Sequence, residues 1–372
     1  MRVLIAPDSF GQTLSAQAAC QAIATGWHLG AAHDELTLLP LSDGGPGFLS
    51  AISALPTAII RKVQVHSPLG DQVAAEICQL GETVYLESAQ ACGRDLIADS
   101  NSTGVRQGTT FGVGELILQA LEIDGVNKIV IGLGGSGTND GGAGMLAALG
   151  SEPMQPLSGG GVGLIDLSFV DLLDARKRIA EVELVIATDV DNPLLGPQGA
   201  SEVYAPQKGA NSTVVSELES GLAHFASLAD LNLANVAGAG AAGGLGFGLL
   251  LLGARRVSGI EMIAEALDLA GAINSADLVI TGEGSFDWQS LRGKVVSGVA
   301  HFAAKYGKPV VVIAGQVHVA RREFMALGVE SAYPVGETPA EIEASLADPE
   351  GSLIRRTESV ARTWSPTPRY SE

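Results

Sequence analysis

Five short runs of valine, isoleucine and leucine punctuate the chain, and each closes in a polar turn. They are "RVLIAPD" from Arg2, "KIVIGLGG" from Lys128, "ELVIATD" from Glu183, "DLVITGEG" from Asp277 and "PVVVIAGQ" from Pro309. Runs that are apolar at consecutive positions are buried on both faces, which predicts strands of a parallel sheet. Helical stretches follow three of them: "LSAQAACQAIATGW" after the first, "GAGMLAALG" after the second and "SGVAHFAAKYG" after the fourth. Strand, polar turn and helix in alternation predict an α/β fold.

The pattern changes between Arg61 and Glu87. "RKVQVHSPLGDQVAAEICQLGETVYLE" largely alternates apolar and polar residues, with turn signals at "SPLGD" and "LGE". That alternation predicts antiparallel hairpin strands. The expectation is two α/β domains: a Rossmann-like parallel sheet from 1–57 and 276–372, and an inserted mixed-sheet domain over 58–275. A chain of 372 residues is longer than one core usually serves. The tail "RTWSPTPRYSE" is polar, holds two prolines and reads as a loosely ordered end.

Charge narrows the partners. Lys plus Arg total 22 against 41 Asp plus Glu, a formal charge of −19. Nucleic acid and anionic membranes are repelled by such a surface, so neither is expected as a partner. A small anionic substrate can still bind through helix N-termini, a few lysines and a metal ion. The 48 glycines gather in short polar loops, which read as turns and ligand loops. Cys20, Cys78 and Cys92 fit no zinc spacing and read as reduced structural thiols of a cytoplasmic protein. The start "MRVLIAPDSF" lacks the apolar core of a signal peptide. "VAGAGAAGGLGFGLLLLGA", from Val236, is uncharged and close to the roughly 20 residues a membrane span needs. Seven of its residues are glycine, so a loop leading into a buried helix is expected instead.

In open α/β sheets ligands bind beyond the carboxyl ends of the strands. Acidic residues recur there: Asp8, Asp43, Asp140, Asp189, Asp191, Glu283 and Asp287. Helix capping accounts for any one of them as readily as function does. Capping accounts less well for the recurrence, and converging carboxylates suit Mg²⁺ held together with phosphate. Lys208 in "APQKGANS" and Lys294 in "SLRGKVVSG" sit in Gly-flanked turns, from which a lysine can reach a phosphate as a point charge. Solvated surface positions are the ordinary alternative for both. The six histidines lack metal spacing and read as structural or solvated.

"KIVIGLGGSGTNDGG" contains G-x-G-x-x-G at Gly132, Gly134 and Gly137. A dinucleotide site needs an acidic residue about 20 positions on, at the end of the next strand. That region reads "SEPMQPLSGGGVGLIDL" and supplies none. A second match at Gly238, Gly240 and Gly243 has no good strand before it. The expectation is phosphate cradled by backbone N–H groups, without nicotinamide. The G-x-x-x-x-G-K-[ST] loop, the protein-kinase signatures and G-x-S-x-G are all absent.

Together these blocks resemble the bacterial glycerate kinase family. The resemblance is carried by "IAPDSF…LSA", "PLSDGG", "STGVRQGTTFGVGELI", "IGLGGSGTNDGGAGML", "ATDVDNPLLGPQGA", "YAPQKGA", "GAGAAGGLGFGL" and "DLVITGEGSFDWQSLRGK", spanning Met1 to about Gly315. It implies ATP-dependent phosphorylation of D-glycerate with Mg²⁺, commonly to 2-phosphoglycerate, in the cleft between two α/β domains. Within the matching loops, Asp189 is expected near the reacting hydroxyl, with Lys208 and Lys294 as charge stabilisers. Ser9, Asp43, Gly44 and Gly45 are assigned to glycerate. Gly134, Gly135, Ser136, Thr138 and Asn139 are assigned to the ATP phosphates, and Glu283 to the metal. A homodimer is left open.

The chain also departs from the family pattern. "DSFGQT" stands where "DSFKGS" or "DSFKGT" is usual, so Gly11 replaces a lysine. Pro46 replaces the glutamate of "SDGGEG", and Val296 replaces a proline. If that lysine neutralises charge in the transition state, its loss costs several kcal/mol, and Arg94 and Arg106 are candidates to compensate. A second reading is therefore a catalytically altered paralogue that binds a small hydroxy acid or nucleotide in a regulatory role. A third, an NAD-dependent enzyme, rests on the glycine motif alone.

Overall fold

The computed structural model describes residues 1–11, 13–97, 102–291 and 294–365. Thirteen strands are found among them. They are β1 (Arg2–Ile5), β2 (Glu35–Leu38), β3 (Ile59–His66), β4 (Gln72–Leu80), β5 (Thr83–Glu87), β6 (Lys128–Gly132), β7 (Glu183–Ala187), β8 (Arg255–Val257), β9 (Leu278–Thr281), β10 (Ser285–Phe286), β11 (Val310–Ala314), β12 (Gln316–Val317) and β13 (Val329–Pro334). The five apolar runs form β1, β6, β7, β9 and β11. The chain divides into two compact units, Met1–Asp43 with Ile260–Glu372, and Gly44–Gly259.

In the first unit an all-parallel sheet runs β13-β11-β9-β1-β2. Val3, Ile5, Leu278, Ile280, Val311 and Ile313 point to one face. There they meet Cys20, Ile23 and Trp27 of the helix Ala16–Gly30 and Leu353 and Val360 of the helix Pro349–Trp364. Their alternates Leu4, Val279 and Val312 are equally buried, so the sheet is covered on both sides and the runs are apolar throughout. The two helices approach closely at Gly26 and Gly30. A Cβ at Gly26 would run into the carbonyl of Ile354, and one at Gly30 would come within 2.7 Å of Ala361. The C-terminal helix continues to Trp364, so the start of the tail is helical rather than loose. The rest of the tail, 366–372, lies outside the described residues.

The second unit is built on a six-stranded sheet, β3-β4-β5-β6-β7-β8. The hairpin region forms β3, β4 and β5, paired antiparallel, and the remaining pairs are parallel. The division between units falls earlier than 57/58 and 275/276 for a packing reason. The helix Phe48–Ser53 rests on β4 and β5, whereas the helix Leu269–Ser275 rests on β1 and the helix Val295–Lys305.

The glycine-rich run after Val236 forms the buried helix Ala241–Leu251, entered through left-handed Ala242, Gly243 and Gly244. Among the described residues no helix is long and apolar enough to cross a membrane.

Candidate active site

Within the first unit, counted in its own order, the strands run 2-1-3-4-5. That order reverses between β1 and β9, and ligands of doubly wound sheets bind at such a switch point, beyond the carboxyl ends of the strands. The backbone stays paired past both strand ends: Ala6 N donates to Ile280 O at 2.7 Å and Asp8 N to Gly282 O at 2.8 Å. The turn "TGEG" is jammed against its neighbours. A Cβ at Gly282 would run into Ile313 O, and one at Gly284 would stand 2.9 Å from the Gly11 nitrogen. Glycine therefore lets Glu283 reach this place.

Asp8, Asp43, Glu283 and Lys294 influence one another there. Burial pushes the Asp8 carboxyl well above the usual range, and the charges of Asp43 and Glu283 add to it. The Ser9 N–H, 2.6 Å from Asp8 Oδ1, and Lys294 pull the other way. Glu283 is pushed up to about 7, first by burial, against the Ser290 hydroxyl and Lys294. Its Oε1 is buried with no hydrogen-bond partner. Among the described residues no three Asp, Glu, His or Cys side chains form a metal cage of their own. Mg²⁺ does not require one, since it takes one or two carboxylates and completes its shell with water and phosphate oxygens. A buried, unpartnered carboxylate oxygen beside further carboxylates fits that ion.

Asp287 shapes the following turn, accepting from Gln289 N at 2.8 Å while Ser290 Oγ accepts from its own N–H. Trp288, 61% exposed, stands at the tip. Gly11 is exposed with φ +58° and open space where a Cβ would be.

The second unit holds the glycine loop after β6. The dinucleotide geometry is absent: the helix Ala143–Ala148 starts six residues after Gly137, so no helix N-terminus faces the motif. The motif glycines instead allow close packing. A Cβ at Gly134 would stand 2.5 Å from Gly45 Cα, and one at Gly135 would stand 2.7 Å from Pro46 Cγ. The second motif braces the same loop from behind. Gly243 lies flush on Thr138 O, Gly248 lies on Gly142, and Gly141 N donates to Gly243 O at 3.1 Å.

Lys208 ties this loop down. It is only 8% exposed, and its Nζ donates to Ser136 Oγ at 2.9 Å and to Thr138 O at 2.7 Å. Burial lowers its pKa to about 8, against the charges of Cys92 and Asp140. Asp140 accepts from Thr110 N and Oγ1, both at 2.8 Å, and from Gly142 N and Gly144 N, both at 3.1 Å. Its strand-end position thus serves to cap a helix and fasten a turn. Glu87 does the same for the helix Phe48–Ser53, accepting from Gly47 N and Leu49 N at 3.1 Å.

The five loop residues assigned to phosphate therefore differ in position. Gly134 and Gly135 reach the surface, whereas Ser136, Thr138 and Asn139 are buried. Asn139 Nδ2 donates to Ser201 Oγ at 3.0 Å, and its Oδ1 is buried with no partner. Asp189 is half-buried just past β7, next to Thr188, whose hydroxyl bonds Leu133 O at 3.4 Å. Of the glycerate set, Ser9 and Asp43 belong to the first unit and Gly44 and Gly45 to the second. Arg94 donates to Gln207 O at 3.1 Å and Arg106 pairs with Glu217 at 2.8 Å. Asp8, flagged in the sequence only as a strand-end acid and given no role, lies at the centre of the first unit's cluster. Its position directly after β1 was the available signal.

A parallel sheet carrying acids at its switch point, and a second unit carrying a latched glycine loop, define an α/β protein of the phosphate-handling kind. The chain belongs to the glycerate kinase family, whose model matches residues 3–365. It is 40% identical over 356 residues to the glycerate kinase of Bacillus subtilis strain 168, covering 92% of each chain. It is 38% identical over 375 residues to the glycerate 2-kinase of Escherichia coli K12, covering 98% of each. A crystal structure from Salmonella typhimurium LT2, provisionally described as glycerate kinase 2, superposes with a TM-score of 0.77. That chain is 37% identical, and 98% of each chain is covered.

Proposed function

We propose that this protein is an ATP-dependent kinase that phosphorylates D-glycerate to 2-phosphoglycerate, with Mg²⁺, in the cytoplasm. The observation that carries the reading is the Lys208 latch on the Ser136–Thr138 loop, alongside family membership over nearly the whole chain. A glycine loop held rigid by a buried ammonium presents backbone N–H groups at Gly134 and Gly135 to phosphate oxygens without reorganisation, which is what phosphoryl transfer asks of a protein.

In the reaction the glycerate hydroxyl oxygen bonds to the γ-phosphorus, and the bond from that phosphorus to the bridging oxygen of ADP breaks. Asp189 takes the hydroxyl proton. Lys294 offsets charge on the acceptor or the moving phosphoryl group. Ser9, Asp43, Gly44 and Gly45 orient glycerate. Glu283 and Asp8 would hold Mg²⁺, which, when bound, supplies neutralisation of the donor's phosphate charge. Three free, buried thiols at Cys20, Cys78 and Cys92 are consistent with a reducing compartment.

A second reading, the regulatory paralogue, rests on Gly11 and Pro46. Gly11 offers no side chain beside the acid cluster, and Pro46 lies against Gly135 where the family pattern has glutamate. Coupled measurement of ADP release from ATP, Mg²⁺ and D-glycerate separates the two. Turnover by the unmodified chain rejects the paralogue. Turnover that arises only in the Gly11→Lys, Pro46→Glu double variant rejects the kinase reading for this chain.

A further inference from the structure

A groove of 820 Å³ opens on the second unit, within the size range of ligand sites, roughly 300–1,000 Å³. Its walls differ in chemistry. Val162 and Ile165 form an apolar side. The helix Ser212–Ala229 presents Ser212, Ser216 and Ser220 at four-residue spacing, with Glu217 alongside. Arg106 closes the end, paired with Glu217 at 2.8 Å.

The hydrogen-bond inventory of these walls selects among ligands. Ser216 Oγ donates to Ser212 O at 3.2 Å and Ser220 Oγ to Ser216 O at 2.8 Å. Both hydroxyls have spent their proton on the helix, so they offer lone pairs to the groove. Glu217 adds carboxylate oxygens. Against these acceptors stands one strong donor, Arg106, whose Nε is buried with no partner. A bare anion is disfavoured by Glu217, and a wholly apolar ligand would strand the hydroxyl face. What matches is a molecule with a flat apolar face, several O–H or N–H donors and an acceptor for Arg106. A purine nucleoside has all three.

We propose that this groove holds the nucleoside of ATP, with the base against Val162 and Ile165. The sugar hydroxyls or the amino group then donate to Ser216, Ser220 and Glu217. The proposal rests on reading the Gly134–Asn139 loop as the phosphate cradle, and the packing links groove to loop. A Cβ at Gly161, beside Val162, would stand 2.5 Å from Asn139 O. Lys208, which holds Ser136, lies four residues before Ser212.

The test is calorimetric titration of the whole protein with ADP and, separately, with tripolyphosphate. It uses wild type, Arg106→Met and Ser216→Phe, each checked for folding by circular dichroism. The expected result is ADP affinity reduced tenfold or more in both variants, with tripolyphosphate affinity within twofold of wild type in Ser216→Phe. ADP affinity unchanged in both variants overturns the groove assignment while leaving the kinase reading intact. Equal loss of both ligands in Ser216→Phe overturns the nucleoside assignment. A wild type that binds neither ligand sinks the kinase reading itself. Photolabelling of wild type with 8-azido-ADP needs no variant. ATP-protected label within 160–166 or 212–220 supports the proposal, and protected label confined elsewhere overturns it.

Discussion

Replacing Lys208 by methionine separates the energetic role of this lysine from its chemical one. Its ammonium is almost fully buried, and its pKa falls from 10.5 to about 8, chiefly through lost solvation. A depressed pKa means the unfolded chain binds the proton more tightly. The group therefore lowers stability at neutral pH, and the cost is relieved as pH rises from about 8 towards 10.5. At about 1.4 kcal/mol per pKa unit the burial costs about 3 kcal/mol at pH 7, and about 2 kcal/mol of that is regained by pH 9.5. Lys208→Met removes this cost but strands Ser136 Oγ and Thr138 O, at about 1–3 kcal/mol each. The two effects offset at pH 7, so the variant folds with stability within about 2 kcal/mol of wild type. Its kcat nevertheless falls by about 10²-fold or more, because the loop loses its preorganisation. Urea unfolding of both proteins at pH 7 and pH 9.5 is the assay. Wild type should gain about 2 kcal/mol relative to the variant over that interval. Parallel behaviour of the two proteins at both pH values would refute the argument.

Other substitutions probe the remaining features. Glu283, buried and near 7 in the absence of a cation, should release protons when Mg²⁺ binds at pH 7, seen as a buffer-dependent heat that Glu283→Gln abolishes. In the metal-free protein the same raised pKa makes Glu283 stabilise at low pH, a contribution lost as pH rises from about 4.5 through 7. Urea midpoints of Glu283→Gln should therefore lack that fall. Ala242 holds φ +52° inside the glycine brace, so Ala242→Gly should raise stability by about 1 kcal/mol, read as an increase in Tm. Gly26→Ala forces a methyl onto the Ile354 carbonyl and should destabilise the first unit by about 1–3 kcal/mol in urea unfolding.

The strands were legible because burial on both faces leaves an unbroken apolar run, as in "VVVIA" of β11, and the hairpins because one-sided burial leaves alternation, as in β4. Glycine roles were not. The same G-x-G-x-x-G spelling that opens a dinucleotide site here marks places where two backbones touch, at Gly134 on Gly45 and Gly243 on Thr138. Spacing along one chain cannot reveal what lies across from it. For the same reason acids at strand ends looked alike. Asp140 and Glu87 turned out to be caps with full sets of donors, whereas Glu283 keeps a buried oxygen unpartnered. Lys208 looked like a solvent-reaching charge because its turn is Gly-flanked; its carbonyl and hydroxyl partners lie some seventy positions away in sequence.

The central claim is phosphorylation of glycerate, and phosphorus NMR of the product after incubation with ATP, Mg²⁺ and D-glycerate tests it most directly. The account predicts ADP together with a phosphate-monoester signal coupled to the proton on C2, as 2-phosphoglycerate gives. A folded protein that binds ADP yet yields no phosphorylated glycerate would contradict it.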